Sequence, residues 1–491
     1  MSKASKAGLL GVSQLLTTVV TLLIAAVLSR WLDKNEYSTY RKTLLVYQSL
    51  APFLALGLPN ALYHFLADDS LNQRKVYADN LFILTGVGLV FGFVMALGGN
   101  RVIAWGFNND GLESTLLLLG FYALPTLAVT GLAAVLVTKG QVKVLALFNI
   151  VTRLLLFFTV VGVAFFFPHK AAPPIAAHLG MAFLIAGPAL YLAWKNLSGT
   201  AVRPDGRGMV RQLKFGVPLG LAAVIGLLSV GLDKVIVAAM EPDEAFAVYV
   251  NGAFELPLIS IVTASSAAIL LPEMTRLFRQ AELGEMLTLW RRSAVKCAVI
   301  LIPFAGLAFL LAPEIMVLLY SEKYRLSSHP FMVYLLIIPI RVAFFGVIFQ
   351  AADQSRTVLF YSLGTLLLNL LLSVFFVRWL GPMGAAISTV LVIYGFTVPY
   401  SIHRAAVVLG RSFREIFPLV PVLKIGLCVA AVVAGLWWVK QALVSQLAVM
   451  PLALLFGTLF LCLIAPILYW SGVPEVRSVY SEGLKRLKFL K

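Results

Sequence analysis

Apolar runs of about twenty residues follow one another along nearly the whole chain, from residue 8 to residue 471. Residues 213–232, LKFGVPLGLAAVIGLLSVGL, are typical of them. A helix needs ~20 apolar residues to cross a bilayer, and hydrophobic residues make up 60% of the 491 positions. The pattern predicts an all-α polytopic membrane protein, so the functional groups are expected among the few polar residues inside the apolar runs.

We predict fourteen transmembrane helices, joined by loops too short to contain a soluble domain. The first run is longer than the apolar part of a secretory signal, so we expect it to remain as an uncleaved first helix. The predicted spans are 8–30, 43–66, 80–99, 114–138, 145–168, 175–195, 213–240, 247–271, 294–313, 330–352, 357–379, 383–408, 418–440 and 447–471.

The net charge of +17 raises the question of a nucleic-acid partner, and the distribution of the charges argues against one. When the N-terminus is placed in the cytoplasm, most of the 39 Lys and Arg residues fall in cytoplasmic loops and tails, while the acidic loop 241–246 falls outside. Membrane proteins show this bias as a rule of topology. We therefore predict that both termini are cytoplasmic and that no nucleic acid is bound.

The chain shows weak internal similarity that predicts two six-helix halves. Tyr40, Pro125 and Pro188 correspond in order, at nearly constant spacing, to Tyr249, Pro339 and Pro399. Spans thirteen and fourteen have no counterparts. The predicted organisation is an N-terminal lobe, a polar cytoplasmic linker, a C-terminal lobe, helices 13 and 14, and a basic cytoplasmic tail that anchors to lipid, over residues 1–195, 196–212, 213–410, 411–471 and 472–491 respectively.

Five ionisable residues lie well inside the predicted spans, namely Arg153, Asp233, Lys234, Glu255 and Arg341. A charge at mid-bilayer costs ~3 kcal/mol or more, so such residues normally face a wet cavity or a partner. Three cations against two carboxylates predict a cavity with net positive charge.

Alternative explanations remain open for several of these residues. Asp233 and Lys234 are also consistent with a position near the outer surface, in contact with water. Glu255 is also consistent with a structural ion pair to Lys234 or Arg341. Arg30 and Arg41, at the outer ends of spans one and two, either extend the basic lining or serve as ordinary interfacial residues.

The sequence contains no pattern typical of an enzyme. There is no P-loop, no His or Cys cluster with metal-binding spacing, and no Ser–His–Asp set, and the pair Asp68 and Asp69 is too isolated to indicate a metal site. We predict a protein that is not an enzyme and that has no metal or cofactor. Protons or sodium ions are the candidate coupling ions.

Several short motifs resemble those of the Wzx-type polysaccharide-unit flippases, within the superfamily that also contains the MATE multidrug exporters and the lipid II flippases. They are LSRWL and EYSTY after the first span, LDK in span seven, LYSEKY before span ten and LGPMGAA before span twelve, at residues 28–32, 36–40, 232–234, 319–324 and 380–386. Serine replaces the usual glycine of the family at Ser38 and Ser321.

The resemblance implies a MATE-like fold, a bacterial inner-membrane location and a polyprenyl-pyrophosphate-linked oligosaccharide as substrate, for O-antigen or exopolysaccharide synthesis. We expect Arg153, Lys234 and Arg341 to hold the pyrophosphate, with Arg30 and Arg41 nearby, since guanidinium groups suit phosphate. Asp233 and Glu255 would tune the site or couple it to an ion. Membrane lipids and a polysaccharide polymerase or other assembly proteins are the expected partners.

Two other functions are compatible with the sequence. A cation-coupled multidrug exporter would share the fold, although its cavity should be dominated by carboxylates. A non-transporting membrane scaffold of a polysaccharide export complex would not require buried charges.

Overall fold

The computed structural model describes residues 3–68, 70–200 and 203–488. Helices make up most of these residues, and no β-strand occurs among them. Asp69, positions 201–202 of the predicted linker and positions 489–491 of the predicted tail lie outside the described residues. Clustering of the backbone contacts divides the chain into two compact units, unit 1 over Met1–Ala247 and unit 2 over Val248–Lys491.

Unit 1 contains eleven helices in its described part, the last of which continues into unit 2. A π-helical turn over Met95–Gly99 joins α4 to α5. The helices are α1 (Lys3–Trp31), α2 (Lys34–Leu54), α3 (Leu58–Phe65), α4 (Gln73–Val94), α5 (Asn100–Gly106), α6 (Gly111–Val129), α7 (Gly131–Thr138), α8 (Val142–Phe166), α9 (Ala172–Lys195), α10 (Gly206–Met240) and α11 (Asp243–Gly252).

Unit 2 contains the remaining helices of the described chain, with a 3₁₀ turn over Glu322–Ser327 and a π-helical turn over Ile393–Thr397. The helices are α12 (Pro257–Arg279), α13 (Leu283–Leu310), α14 (Ala312–Tyr320), α15 (Ser328–Leu335), α16 (Ile338–Arg341), α17 (Gly346–Ala351), α18 (Ser355–Leu380), α19 (Pro382–Val392), α20 (Val398–Leu409), α21 (Phe413–Ile416), α22 (Leu419–Leu443), α23 (Val449–Trp470) and α24 (Pro474–Lys488).

Within the described residues, twelve helical stretches are long and apolar enough to cross a membrane, or thirteen if the bent pair α2–α3 counts as one span. The prediction of an all-α polytopic membrane protein is therefore confirmed. The tenth predicted span, over 330–352, is instead divided among α15, α16 and α17. Pro339 lies in this region, where a proline removes a helix hydrogen bond and favours a break.

The second predicted span, over 43–66, is also interrupted. Leu56 and Gly57 adopt positive φ angles of 51° and 67° between α2 and α3. A Cβ atom on Gly57 would lie 2.1 Å from the carbonyl oxygen of Gly216 and 2.6 Å from the backbone nitrogen of Gly220, both on α10. Only glycine combines this backbone conformation with so close an approach of two chain segments.

The predicted linker packs against the start of α4. The Arg74 backbone N–H donates to the Ser198 carbonyl at 3.2 Å, and the Arg74 side chain donates to the Leu197 carbonyl at 3.1 Å. Lys75 forms a 3.1 Å ion pair with Asp205. From residue 206 onward the segment is already helical, as the first turns of α10.

Candidate functional site

A cavity of about 360 Å³ lies within unit 1, between α1, α6, α8 and α9. The apolar part of its wall includes Pro125, Val129, Met181 and Ile185. Most of the remaining wall is polar and includes Gln14, Thr17, Tyr122, Thr126, Asn149, Thr152, Arg153 and His178. Arg153 is the one Lys or Arg, and no Asp or Glu occurs, among the described residues that line the cavity.

Arg153 reaches the cavity from the middle of α8 and is half-buried. Asn149 lies one turn earlier, at the i−4 position, and therefore shares its helix face. Among the described residues, no carboxylate lies within ion-pair distance of Arg153, and none of its hydrogen-bonding groups has a protein partner. The guanidinium group thus remains able to bind an anionic ligand.

Aromatic side chains of α2, α6 and α9 contact one another around the cavity. The Tyr40 hydroxyl and His178 Nε2 are 2.9 Å apart in a buried hydrogen bond. Tyr122 packs edge-on against Tyr47 with ring centroids 4.9 Å apart, and the Tyr47 hydroxyl is hydrogen-bonded to Thr126. These contacts tie α2, α6 and α9 together, so the wall that faces Arg153 is held in place.

The EYSTY motif at residues 36–40 has a structural role at each polar position. Glu36 accepts a hydrogen bond of 2.6 Å from the backbone N–H of Ala171, at the start of α9. The Ser38 hydroxyl donates to Asp243 at 2.7 Å, and Tyr40 holds His178. The motif therefore positions α9 and the start of α11 relative to α2.

Arg30 and Arg41, predicted to extend the basic lining, do not line this cavity in the described part of unit 1. Arg30 donates a 2.7 Å hydrogen bond to the carbonyl of Ala26, one turn earlier in α1. Arg41 donates a 2.8 Å hydrogen bond to the Tyr37 hydroxyl. Their role in substrate binding remains a prediction.

The neighbours Asp233 and Lys234 lie on α10, with 3.5 Å between the Lys234 Nζ and Asp233 Oδ1 atoms. The side chain of Asp233 is 2% exposed and that of Lys234 is 19% exposed, so both are largely buried within the protein. Lys234 is not among the described residues that line the cavity around Arg153.

Glu255 and Arg341 form an ion pair in unit 2, with 3.3 Å between Glu255 Oε1 and Arg341 Nε. Glu255 lies in the non-helical stretch between α11 and α12, and Arg341 is the last residue of α16, just before the break that precedes α17. Non-helical backbone at membrane depth is tolerated where it is buried in protein or lines a water-filled cavity. Both side chains are about two-fifths exposed, at 37% and 43%.

Sequence reasoning missed a largely buried ion pair of unit 1, between Lys42 and Asp243. The Lys42 side chain, on α2, is 1% exposed and binds Asp243 at 2.8 Å and the carbonyl of Phe107 at 3.1 Å. Asn109 donates to the other Asp243 oxygen at 2.8 Å. The acidic loop 241–246 is the one sequence signal, and it is weak because carboxylates in contact with water need no cation nearby.

In unit 2, Lys440 and Glu314 form a second buried pair at 2.6 Å, which also escaped prediction. The described residues contain no group of three or more His, Cys, Asp or Glu side chains that could hold a metal ion.

Residues 4–278, more than half of the chain, match the family described as "Polysaccharide biosynthesis protein". The chain belongs to this family. A comparison with curated proteins gives no match.

Solved structures of transporters share the fold of this family member. The lipid II flippase MurJ in an inward closed conformation matches with a TM-score of 0.71 and 14% identity, over 93% of this chain and 98% of that one. An inward-facing multidrug resistance MATE family transporter of the MOP superfamily matches with a TM-score of 0.62 and 13% identity, over 81% and 96% of the two chains. A MOP superfamily transporter from Pyrococcus furiosus matches with a TM-score of 0.56 and 15% identity, over 82% and 95%.

These comparisons confirm the MATE-like fold and the resemblance to the polysaccharide-unit flippases that the sequence motifs predicted. The chain is a multi-span membrane protein of polysaccharide biosynthesis, and its solved structural neighbours are transporters and flippases rather than enzymes.

Proposed function

We propose that this protein moves a polyprenyl-pyrophosphate-linked oligosaccharide from the cytoplasmic to the outer leaflet of the bacterial inner membrane by alternating access. The family match is to polysaccharide biosynthesis, and the structure with the TM-score of 0.71 is a lipid II flippase.

Arg153 carries the proposal. Its guanidinium lies in a cavity whose described lining contains no carboxylate, whereas a site for cationic drugs would need negative charge to offset the charge of the ligand. A pyrophosphate has to exchange water for other donors when it enters a protein, and the paired N–H groups of Arg supply such donors.

We extend the same role to Lys234 and Arg341, with Arg30 and Arg41 at the outer helix ends. Each of Lys234 and Arg341 has a carboxylate beside it, Asp233 and Glu255 respectively. In the proposed cycle these carboxylates tune the cations or couple the movement to protons or sodium ions. Membrane lipids surround the protein, and a polymerase or other assembly proteins are the proposed receivers of the product.

The direct test is transport by the purified protein in liposomes. Polyprenyl-pyrophosphate oligosaccharide is placed in both leaflets, externally exposed glycan is trimmed by an added glycosidase, and replenishment of the outer pool is followed over time. We expect replenishment with the protein and none in protein-free liposomes. Absence of replenishment by folded protein would refute the proposal.

The multidrug exporter remains the second candidate, because a MATE transporter also shares the fold. Cation-driven uptake of a lipophilic cationic dye into the same liposomes, without glycan movement, would favour this exporter function. Neither activity, together with capture of a polysaccharide polymerase, would favour the scaffold.

A further inference from the structure

The polar wall of the unit 1 cavity contains two carboxamides with free hydrogen-bonding capacity. Gln14 projects from α1 and Asn149 from α8, and both line the cavity. Among the described residues, neither side chain has a hydrogen-bond partner. A carboxamide offers two donors and an acceptor, which is the combination that a sugar hydroxyl pair requires.

The threonine hydroxyls Thr17 and Thr152 in the same wall have no free donor for a ligand. Thr17 donates to the Gln14 carbonyl at 2.8 Å, and Thr152 donates to the Phe148 carbonyl at 2.7 Å, both within their own helices. Their hydroxyls therefore retain only acceptor capacity toward a ligand. The free side-chain donors among the described residues of this wall are consequently those of Arg153, the two carboxamides and the Tyr122 hydroxyl, and only the carboxamides combine donors with a carbonyl acceptor.

The size and chemistry of the cavity suit a small ligand with one anionic group and several hydroxyls. A volume of about 360 Å³ lies within the range of roughly 300–1,000 Å³ that is typical of small-molecule sites. This is enough for one hexose and one phosphate group. Apolar lining residues such as Val129 and Ile185 offer packing contacts for the C–H groups of a sugar.

We infer that this cavity is a glycosyl phosphate subsite, in which Arg153 binds the phosphate and Gln14 and Asn149 bind the first sugar attached to it. The inference rests on the proposed function and assigns a part of the cargo to this cavity. It makes Gln14 and Asn149 specificity-determining residues, since replacing a hydrogen-bonding side chain penalises the ligand whose hydroxyl it satisfied.

Binding of soluble probes to the full-length protein in nanodiscs of zwitterionic lipid tests the inference. The probes are glucose 1-phosphate, N-acetylglucosamine 1-phosphate, inorganic phosphate, glucuronate and glucose, each titrated to millimolar concentration. We expect at least one sugar phosphate to bind about tenfold more tightly than inorganic phosphate and than glucose, because both parts of the ligand contribute hydrogen bonds. Equal binding of phosphate and both sugar phosphates, preference for glucuronate, or no binding at all would overturn it.

Variants then separate the two halves of the subsite. R153Q should abolish binding of every phosphate probe. Q14M and N149L should each remove the advantage of the sugar phosphate while binding of inorganic phosphate stays the same. The matched control Q446L changes an exposed glutamine outside the cavity and should behave as wild type.

Two carboxamides on different helices keep the test decisive if one variant does not fold, as judged by elution volume and thermal unfolding. Equal losses of sugar phosphate and inorganic phosphate in a folded Q14M or N149L would overturn the assignment. If the wild-type protein moves glycan in liposomes but binds sugar phosphates no better than inorganic phosphate, this inference alone is refuted. If the wild-type protein moves no glycan, the proposed function is refuted.

Discussion

Arg153 of unit 1 and Arg341 of unit 2 share a predicted role, but their surroundings differ. Arg153 emerges from the middle of an uninterrupted helix into a cavity lined by neutral groups. Arg341 stands at a helix break and already contacts the carboxylate of Glu255 at 3.3 Å. A guanidinium without a carboxylate can bind an anion at once, whereas one with a carboxylate has to exchange partners first. Replacing each arginine should therefore have different effects on transport and on stability.

The largest effect is expected from R153A on transport. Removing two charge-assisted hydrogen bonds to phosphate should cost about 4 kcal/mol, or about a thousandfold in the rate of glycan movement. Thermal stability should stay within about 0.5 kcal/mol of wild type, since no buried partner loses its counter-charge. R153K, which keeps the charge without the paired donors, should be intermediate. Normal movement in R153A, measured in liposomes, would contradict the role.

Lys42 gives the opposite case within the same unit. K42M leaves the Asp243 carboxylate, whose side chain is 22% exposed, without its cation and should lower the free energy of unfolding by about 2 kcal/mol. The double variant K42M/D243N should recover much of this loss because no uncompensated charge remains. Denaturant titration of the detergent-solubilised protein measures both. If K42M proved as stable as R153A, the ion pair with Asp243 would not distinguish Lys42 from Arg153 in its effect on stability.

The contrast also shows what the sequence allows one to predict. Long apolar runs identified the membrane class, and local motifs identified the family, because both signals lie within short stretches of chain. The ion-pair partner of a charged residue, in contrast, can lie far away along the chain. Lys42 and Asp243 meet across some two hundred residues, which only the folded chain brings together.

Helix breaks were equally hard to place. Pro125 and Pro339 occupy corresponding predicted positions, yet α6 continues through Pro125 while the region of Pro339 is divided into short helices. A proline frees one backbone carbonyl in either case, and its surroundings decide whether the helix continues. The tenth span was therefore predicted from its apolar length, without the division into three short helices that the structure shows.

A smaller effect is expected from the pair Glu255 and Arg341. A double-mutant cycle with E255Q, R341Q and the combination should give a coupling free energy of about 0.5–1 kcal/mol, since both side chains are two-fifths exposed. In transport, E255Q should be less impaired than R341Q, because it leaves the cation available. A coupling near zero would mean that Arg341 is as independent as Arg153.

The smallest effect concerns Lys75 and Asp205, outside the membrane spans, where an ion pair joins the linker to α4. The hydrogen bond from Lys75 holds the pKa of the Asp205 carboxyl below its usual range. A carboxyl whose pKa is lower in the folded than in the unfolded protein stabilises fully above its unfolded value of about 3.9, and this stabilisation disappears as the pH falls through the folded value. The melting temperature of K75M should therefore lie slightly below that of wild type at pH 7, and the two should converge under acid conditions.

Because the pair is exposed, raising the salt concentration at pH 7 should also narrow the difference, whereas the buried pair of Lys42 and Asp243 should respond little to salt. A difference that persists unchanged in acid and in high salt would mean that Lys75 stabilises the linker by packing its alkyl chain.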